Sequence, residues 1–151
     1  MDSQTARKLA QLRHGDQQDR SGGLQVEHLE RVAASVMDDD ARTVAYLHDL
    51  LEHTATSVAD LEDHGVTPLQ IAAVLLLTRR PSESFESHTL RIANARGPDA
   101  QLARAVKLAD IEDHLAGELR TPSTRPYKWA RSHITSSQAR FDRGRFEPVP
   151  A

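Results

Sequence analysis

The residues best suited to chemistry lie in one stretch, Ala45-Tyr46-Leu47-His48-Asp49-Leu50-Leu51-Glu52-His53. An adjacent His–Asp pair is followed by a glutamate four residues after the histidine. On a continuous helix, positions i, i+3 and i+4 share a face, so His48, Asp49 and Glu52 can converge on one point. Polar groups inside an otherwise apolar helix are costly to bury unless something binds them. A divalent metal ion is the natural occupant.

Two other stretches supply further donors. His28 borders the apolar stripe Leu29, Val32, Ala33 and Val36. Asp110, in Val106-Lys107-Leu108-Ala109-Asp110, shares an inner face with Ala103, Val106 and Asp113, with Lys107 and His114 on its flanks. A buried acid needs a compensating charge. Two imidazoles and two carboxylates from three helices form a coherent mixed nitrogen–oxygen site. His64, His88 and His133 sit among polar neighbours and read as surface residues.

The elements that must position these groups read as helices throughout. The first covers 3–14, with Ser3 as its cap and Leu9 and Leu12 facing inward. The second covers 24–37, after a polar loop holding Ser21-Gly22-Gly23. The third opens on Asp38-Asp39-Asp40, where carboxylates suit a helix N-terminus, and buries Ala41, Val44, Ala45, His48 and Leu51. Ser57 and Asp60 mark a short helix over 57–64, stopped by Gly65. Thr67-Pro68-Leu69-Gln70 starts an almost wholly apolar, hence central, helix that Arg79-Arg80-Pro81 closes. Helices over 82–95, 100–119 and 126–141 follow, the last with Tyr127, Ala130 and Ile134 inward. The fold is therefore all-α: a single compact bundle of seven to eight helices over residues 1–141, with a flexible tail over 142–151.

Composition narrows the classes of function. The chain has 151 residues, no cysteine and a net charge of −3. The acidic balance argues against a nucleic-acid partner. Thiolate ligands are excluded, and 4% aromatic content leaves the core to aliphatic residues. No stretch is long and apolar enough to span a bilayer, and no basic-then-apolar leader opens the chain. The expectation is a cytoplasmic protein without a membrane partner; a homodimer is compatible with it.

The ordered motifs resemble the HD phosphohydrolase superfamily, and within it the hydrolase domain of the RelA/SpoT alarmone enzymes and their small stand-alone relatives. His14-Gly15-Asp16-Gln17, Ser21-Gly22 and His28 with Val32-Ala33 are similar to that family's opening stretch. His48-Asp49-Leu50-Leu51-Glu52-His53-Thr54 resembles its His–Asp motif followed by Glu-Asp-Thr, and Lys107-Leu108-Ala109-Asp110 its Lys-Leu-Ala-Asp segment. The resemblance implies one divalent ion, manganese by preference, held by His28, His48, Asp49 and Asp110. It implies a metal-dependent phosphohydrolase acting on a nucleotide, with the 3′-pyrophosphate of (p)ppGpp as the favoured bond. Glu52 and His53 would serve the attacking water, and Lys107, His114 and Ser21 the substrate.

This chain departs from the family at four places. His53 stands where the family has an Asp, and His114 where it commonly has an Asn that contacts the nucleotide. Asp19 replaces an Arg that packs on guanine, and Leu24-Gln25 replaces Pro-Tyr. Two alternatives therefore stand beside the alarmone reading. One is a phosphohydrolase of another nucleotide or phosphoester; the other is a non-catalytic module that binds metal or nucleotide.

Overall fold

The structure is a computed structural model that describes residues 1–117 and 124–144. The described residues form nine helices and no strand, with one isolated bridge pairing Gln18 and Leu24.

Helix α1 (Ser3–His14) is capped by Asp2, not Ser3: the Asp2 carboxylate accepts from the Thr5 N–H at 2.8 Å. Ser3 instead donates its backbone N–H and its hydroxyl to Asp39. The buried stripe of α1 runs through Ser3, Ala6, Leu9, Ala10 and His14. Leu12 falls on the opposite side and is 77% exposed, contrary to the expectation that it faces inward. An apolar residue earns burial only on the face its neighbour covers, and here that neighbour is the third helix.

Helix α2 (Gln25–Ala34) buries His28, Leu29, Val32 and Ala33. It stops three residues short of Met37, because Asp38 already caps α3 (Asp39–Leu47) by accepting from the Asp40 and Ala41 N–H groups. Met37 is left exposed in the turn.

The expected single helix through the His–Asp stretch is broken. Helix α3 ends at Leu47, and α4 (Leu50–His53) begins after His48 and Asp49. The ring Nδ1 of His48 lies 2.7 Å from the Ala45 carbonyl, the group that would accept from the Asp49 N–H in an unbroken helix. The side chain diverts that carbonyl, and the backbone opens there.

The remaining helices begin where the turn chemistry places them. Reciprocal capping boxes start α5 (Val58–Asp63) at Ser57/Asp60 and α6 (Pro68–Leu77) at Thr67/Gln70. Gly65, at φ 79°, turns the chain between them in the left-handed region. Helix α7 (Phe85–Asn94) is capped by Ser84; Ser82, at φ 62°, lies outside it. Helix α8 (Pro98–Gly117) starts two residues before its expected position, with Pro98 in its first turn, where a missing N–H costs nothing. Its expected end near 119 lies outside the described residues. Helix α9 (Arg125–Gly144) extends three residues past 141; the rest of the expected tail, 145–151, also lies outside them.

Two apolar clusters hold the bundle. The larger draws on α1 to α8 through residues such as Val32, Val44, Leu47, Leu61, Val74, Ile92 and Val106. The smaller joins α7, α8 and α9 through Ala93, Ile111, Ala130 and Ile134. Helices α7 and α8 contribute to both, and Asp110 falls between Ala109 of the larger cluster and Ile111 of the smaller. Among the described residues no helix is long and apolar enough to cross a membrane.

Candidate metal centre

Three helices bring His28, His48 and Asp110 together, and each residue is only 4% exposed. One donor atom from each lies within 4.8 Å of the others. The His28 Nε2 is 3.3 Å from Asp110 Oδ1, and the His48 Nε2 is 3.9 Å from the same oxygen. The outer nitrogens are both occupied. His28 Nδ1 meets Asp113 Oδ2 at 2.7 Å, and His48 Nδ1 meets the Ala45 carbonyl. Tying Nδ1–H to an acceptor leaves the Nε2 lone pair for a metal, the usual outer support of a metal-binding imidazole. The donor set therefore fits a divalent cation.

The electrostatics agree. Burial acts to lower the His28 pKa, but hydrogen bonds and charge from Asp110 and Asp113 overcome it and raise the ring to about 9. Positive charge is favoured at the point where the Nε2 atom meets Asp110. Burial likewise opposes ionisation of Asp110, yet Lys107, His114 and His28 hold its carboxyl well below the usual range. The Lys107 ammonium sits 2.8 Å from Asp110 Oδ2, and Asp110 raises its pKa against desolvation.

Asp49 stands beside this triad rather than inside it. Its Oδ1 lies 3.4 Å from His48 Nε2, and its Oδ2 accepts from the Gln25 amide. Because the helix breaks at His48, Asp49 and Glu52 do not share the single helical face expected of them. Glu52 lies on the cleft wall, where the Arg79 N–H approaches one carboxylate oxygen at 3.4 Å and the Arg79 Nε the other at 3.6 Å.

The cleft over the triad has a volume of about 560 Å³, and His53, Lys107 and His114 line it with Glu52. That size suits a nucleotide-sized ligand. The His114 ring stacks on Tyr127 at 5.0 Å, and its Nε2 is 3.1 Å from Asp110 Oδ1. Arg20 and Arg79 add cationic groups at the exposed rim. Ser21 does not line the cleft; its hydroxyl donates to Asp19 Oδ1 at 2.6 Å and closes the loop that presents Arg20.

Several supporting residues escaped the sequence reading. Asp113 was placed on the inner face of α8, but its partnership with His28 and its two hydrogen bonds from Arg31 were not foreseen. Its position one turn after Asp110 was the available signal. Gln25 carried no signal. His14 and Gln17 form a relay in which Gln17 Oε1 meets His14 Nδ1 at 2.8 Å and the Gln17 amide donates to the His53 carbonyl at 3.0 Å. His88, expected at the surface, is 5% exposed. Its Nε2 donates to the Leu76 carbonyl at 2.9 Å, and burial lowers its pKa, so the neutral ring is kept. His64 and His133 are exposed as expected.

No protein-family model matches the sequence, and no curated protein sequence does. The fold does have a counterpart. A solved structure described as a metazoan ortholog of SpoT that hydrolyses ppGpp, with a role in starvation responses, aligns at TM-score 0.69. The alignment covers 89% of this chain and 84% of that one at 21% sequence identity. The chain thus shares the all-helical fold of that protein, and its His–His–Asp cluster could hold a metal ion.

Proposed function

We propose that the chain is a phosphohydrolase that uses one divalent ion to cleave a nucleotide, with the 3′-pyrophosphate of (p)ppGpp as the favoured bond. The observation that carries this reading is the convergence of His28, His48 and Asp110, with their outer nitrogens tied, beneath a cleft that also holds Glu52. The likeness in fold to a protein described as hydrolysing ppGpp supports it.

His28, His48, Asp110 and, from its flanking position, Asp49 would hold the ion; two imidazoles and two carboxylates suit manganese. When bound, such an ion polarises a phosphoryl oxygen and lowers the pKa of water. Glu52, steadied by Arg79, accepts the proton of the attacking water, and His53 lies beside it as a second proton carrier. Lys107 is committed to Asp110, so Arg79 and Arg20 are the cations best exposed to meet substrate phosphate. His114, which also lines the cleft, would contact the substrate, and Ser21 would act through the loop that carries Arg20. A cytoplasmic location, a homodimer and no nucleic-acid partner complete this reading.

One observation favours a different base or phosphoester. The Asp19 carboxylate accepts from the Ser21 and Gly23 N–H groups and so is spent on its own loop, which offers no stacking surface at that position. One panel decides between these readings. The manganese-loaded protein is offered guanosine tetra- and pentaphosphate, nucleoside mono- and triphosphates and dinucleotide phosphates, with phosphate and pyrophosphate scored separately. Pyrophosphate release from the alarmones is expected. Release only from another member transfers the assignment to that substrate, and metal bound without turnover of any member overturns the enzyme.

A further inference from the structure

Five carboxylates line the cleft: Asp19, Asp49, Glu52, Glu86 and Asp110. Four of them are engaged. Asp19 accepts from its own loop, Asp49 from the Gln25 amide and Glu52 from the Arg79 N–H, while Asp110 pairs with Lys107 and His114. Glu86 differs. It is exposed in the first turn of α7 and has no hydrogen-bond or ion-pair partner among the described residues. A helix N-terminus favours an acid in its first turn, so this carboxylate is stable without a ligand.

The residue before it, Phe85, meets the Tyr127 ring edge to face at 5.6 Å, and Leu77 and Pro126 line the same cleft. Both rings are half-buried. An apolar, ring-bearing surface of this kind suits the flat face of a base, and stacking of that sort tolerates any base. Selection among bases must come from hydrogen bonds. A free carboxylate repels phosphate and can only accept, so the group that meets Glu86 is a neutral part of the ligand that carries donors. The phosphates are left to Arg20 and Arg79, which also line the cleft. The loop at Asp19 offers no ring, so the base is best placed on Phe85 and Tyr127.

We infer that the base of the nucleotide packs against Phe85 and Tyr127 and that Glu86 selects guanine. Guanine presents two adjacent donors, N1–H and the 2-amino group, which a carboxylate accepts side by side as charge-assisted hydrogen bonds. Adenine and cytosine each set one amino donor beside a bare ring nitrogen, and uracil sets one N–H between two carbonyls. Every one of these turns a lone pair toward the carboxylate. Glu86 is therefore a specificity-determining residue, and guanine nucleotides are the class it admits. The inference rests on the nucleotide cleft of the proposed function, but it concerns binding and not turnover.

The test is calorimetry on the full chain with chelator present, which keeps every ligand intact. Guanosine, inosine, xanthosine and adenosine 5′-diphosphates are the probes, with 2′-deoxyguanosine 5′-diphosphate as the control for the ribose. Wild type should bind the guanosine form about tenfold more tightly than the inosine form, which lacks the amino group, and the adenosine form more weakly still. Glu86→Gln should bind the guanosine form about tenfold more weakly. It should also gain affinity for the xanthosine form, because an amide accepts from N1–H and donates to the 2-oxo group. A merely structural role for Glu86 cannot reverse that preference. Equal binding of the guanosine and inosine forms by wild type overturns the proposal, as does a guanosine preference that survives in both Glu86→Gln and Glu86→Ala. Loss of affinity confined to the 2′-deoxy form places the ribose at Glu86 and overturns it too, and so does failure to bind any probe. Circular dichroism of each variant confirms the fold. Turnover is scored separately on the manganese-loaded wild type. Guanine selection through Glu86 without turnover of any substrate defeats the proposed enzyme and leaves this assignment standing.

Discussion

His28 has two ring nitrogens, and Asp113 decides which of them faces the site. The Asp113 carboxylate takes Nδ1 at 2.7 Å and is itself fixed by two hydrogen bonds from Arg31, at 2.6 and 3.1 Å. Asp113→Asn keeps the shape but removes the charge that favours the Nδ1–H form. Metal affinity should fall about 10–100-fold, the usual cost of losing an acceptor behind a metal-bound histidine. Chelator competition measures this, and an affinity within a factor of two of wild type would show that Arg31 or packing alone orients the ring. Asp110 carries a second burden, since it neutralises Lys107, whose side chain is only 14% exposed. Asp110→Ala should abolish metal binding. It should also cost about 3 kcal/mol in the metal-free protein, because it strands a buried ammonium. The pair Asp110→Asn with Lys107→Met should recover most of that loss in urea unfolding while metal binding stays absent.

The loop between α6 and α7 places Arg79 beside Glu52, and Arg91 on α7 anchors that loop. Its guanidinium binds Glu83 through two nitrogens, at 2.8 and 2.9 Å, and donates to the Leu76 and Thr78 carbonyls. The hydrogen bonds from Arg91 hold the Glu83 carboxyl down to about 2, from an ordinary value of 4.5. A carboxyl with a depressed folded pKa stabilises the fold above its unfolded pKa, and the contribution disappears as pH falls through the folded value. Glu83→Gln should therefore cost about 2 kcal/mol at pH 7. The gap between variant and wild type should be complete above about pH 4.5 and should close toward pH 2. Urea midpoints across that range check it, and a gap independent of pH would assign the loss to packing. The helices themselves were legible because their caps are local: Thr67 with Gln70 and Ser57 with Asp60 name their own starts. The break at His48 was not, since it arises from a side chain competing for the Ala45 carbonyl, which leaves no trace in apolar spacing. Leu12 and His88 were misplaced for a related reason. Burial of each depends on which helix packs against its own, and only the assembled bundle supplies that.

At the scale of the molecule, the candidate metal centre draws on α2, the end of α3 and α8. His28, His48 and Asp110, which the structure brings together, lie in ordered motifs that single them out in the sequence, whereas Asp113 and Gln25, which hydrogen-bond His28 and Asp49, meet their partners only through packing. Helix α8, like α7, contributes to both apolar clusters, so an ion at Asp110 would link α2 and α3 of the larger cluster to a helix that also packs in the smaller one. Binding to the folded state alone adds RT ln(1 + [L]/Kd), about 2.7 kcal/mol at a hundredfold excess over Kd. For a domain of this size that is a rise of about 5–10 °C in melting temperature. Chelator should reverse the rise, and Asp110→Ala should not show it. Ile134→Ala supplies the control, since Ile134 is fully buried in the smaller cluster between α7, α8 and α9 and has no role at the site. It should lower the metal-free stability by about 3 kcal/mol through the cavity it leaves. The metal-induced gain should survive undiminished, because distant and independent contributions add. If Ile134→Ala instead halved the gain in free energy, the ion would be stabilising the junction of the two clusters as a unit. The smaller cluster would then belong to the scaffold that shapes the site.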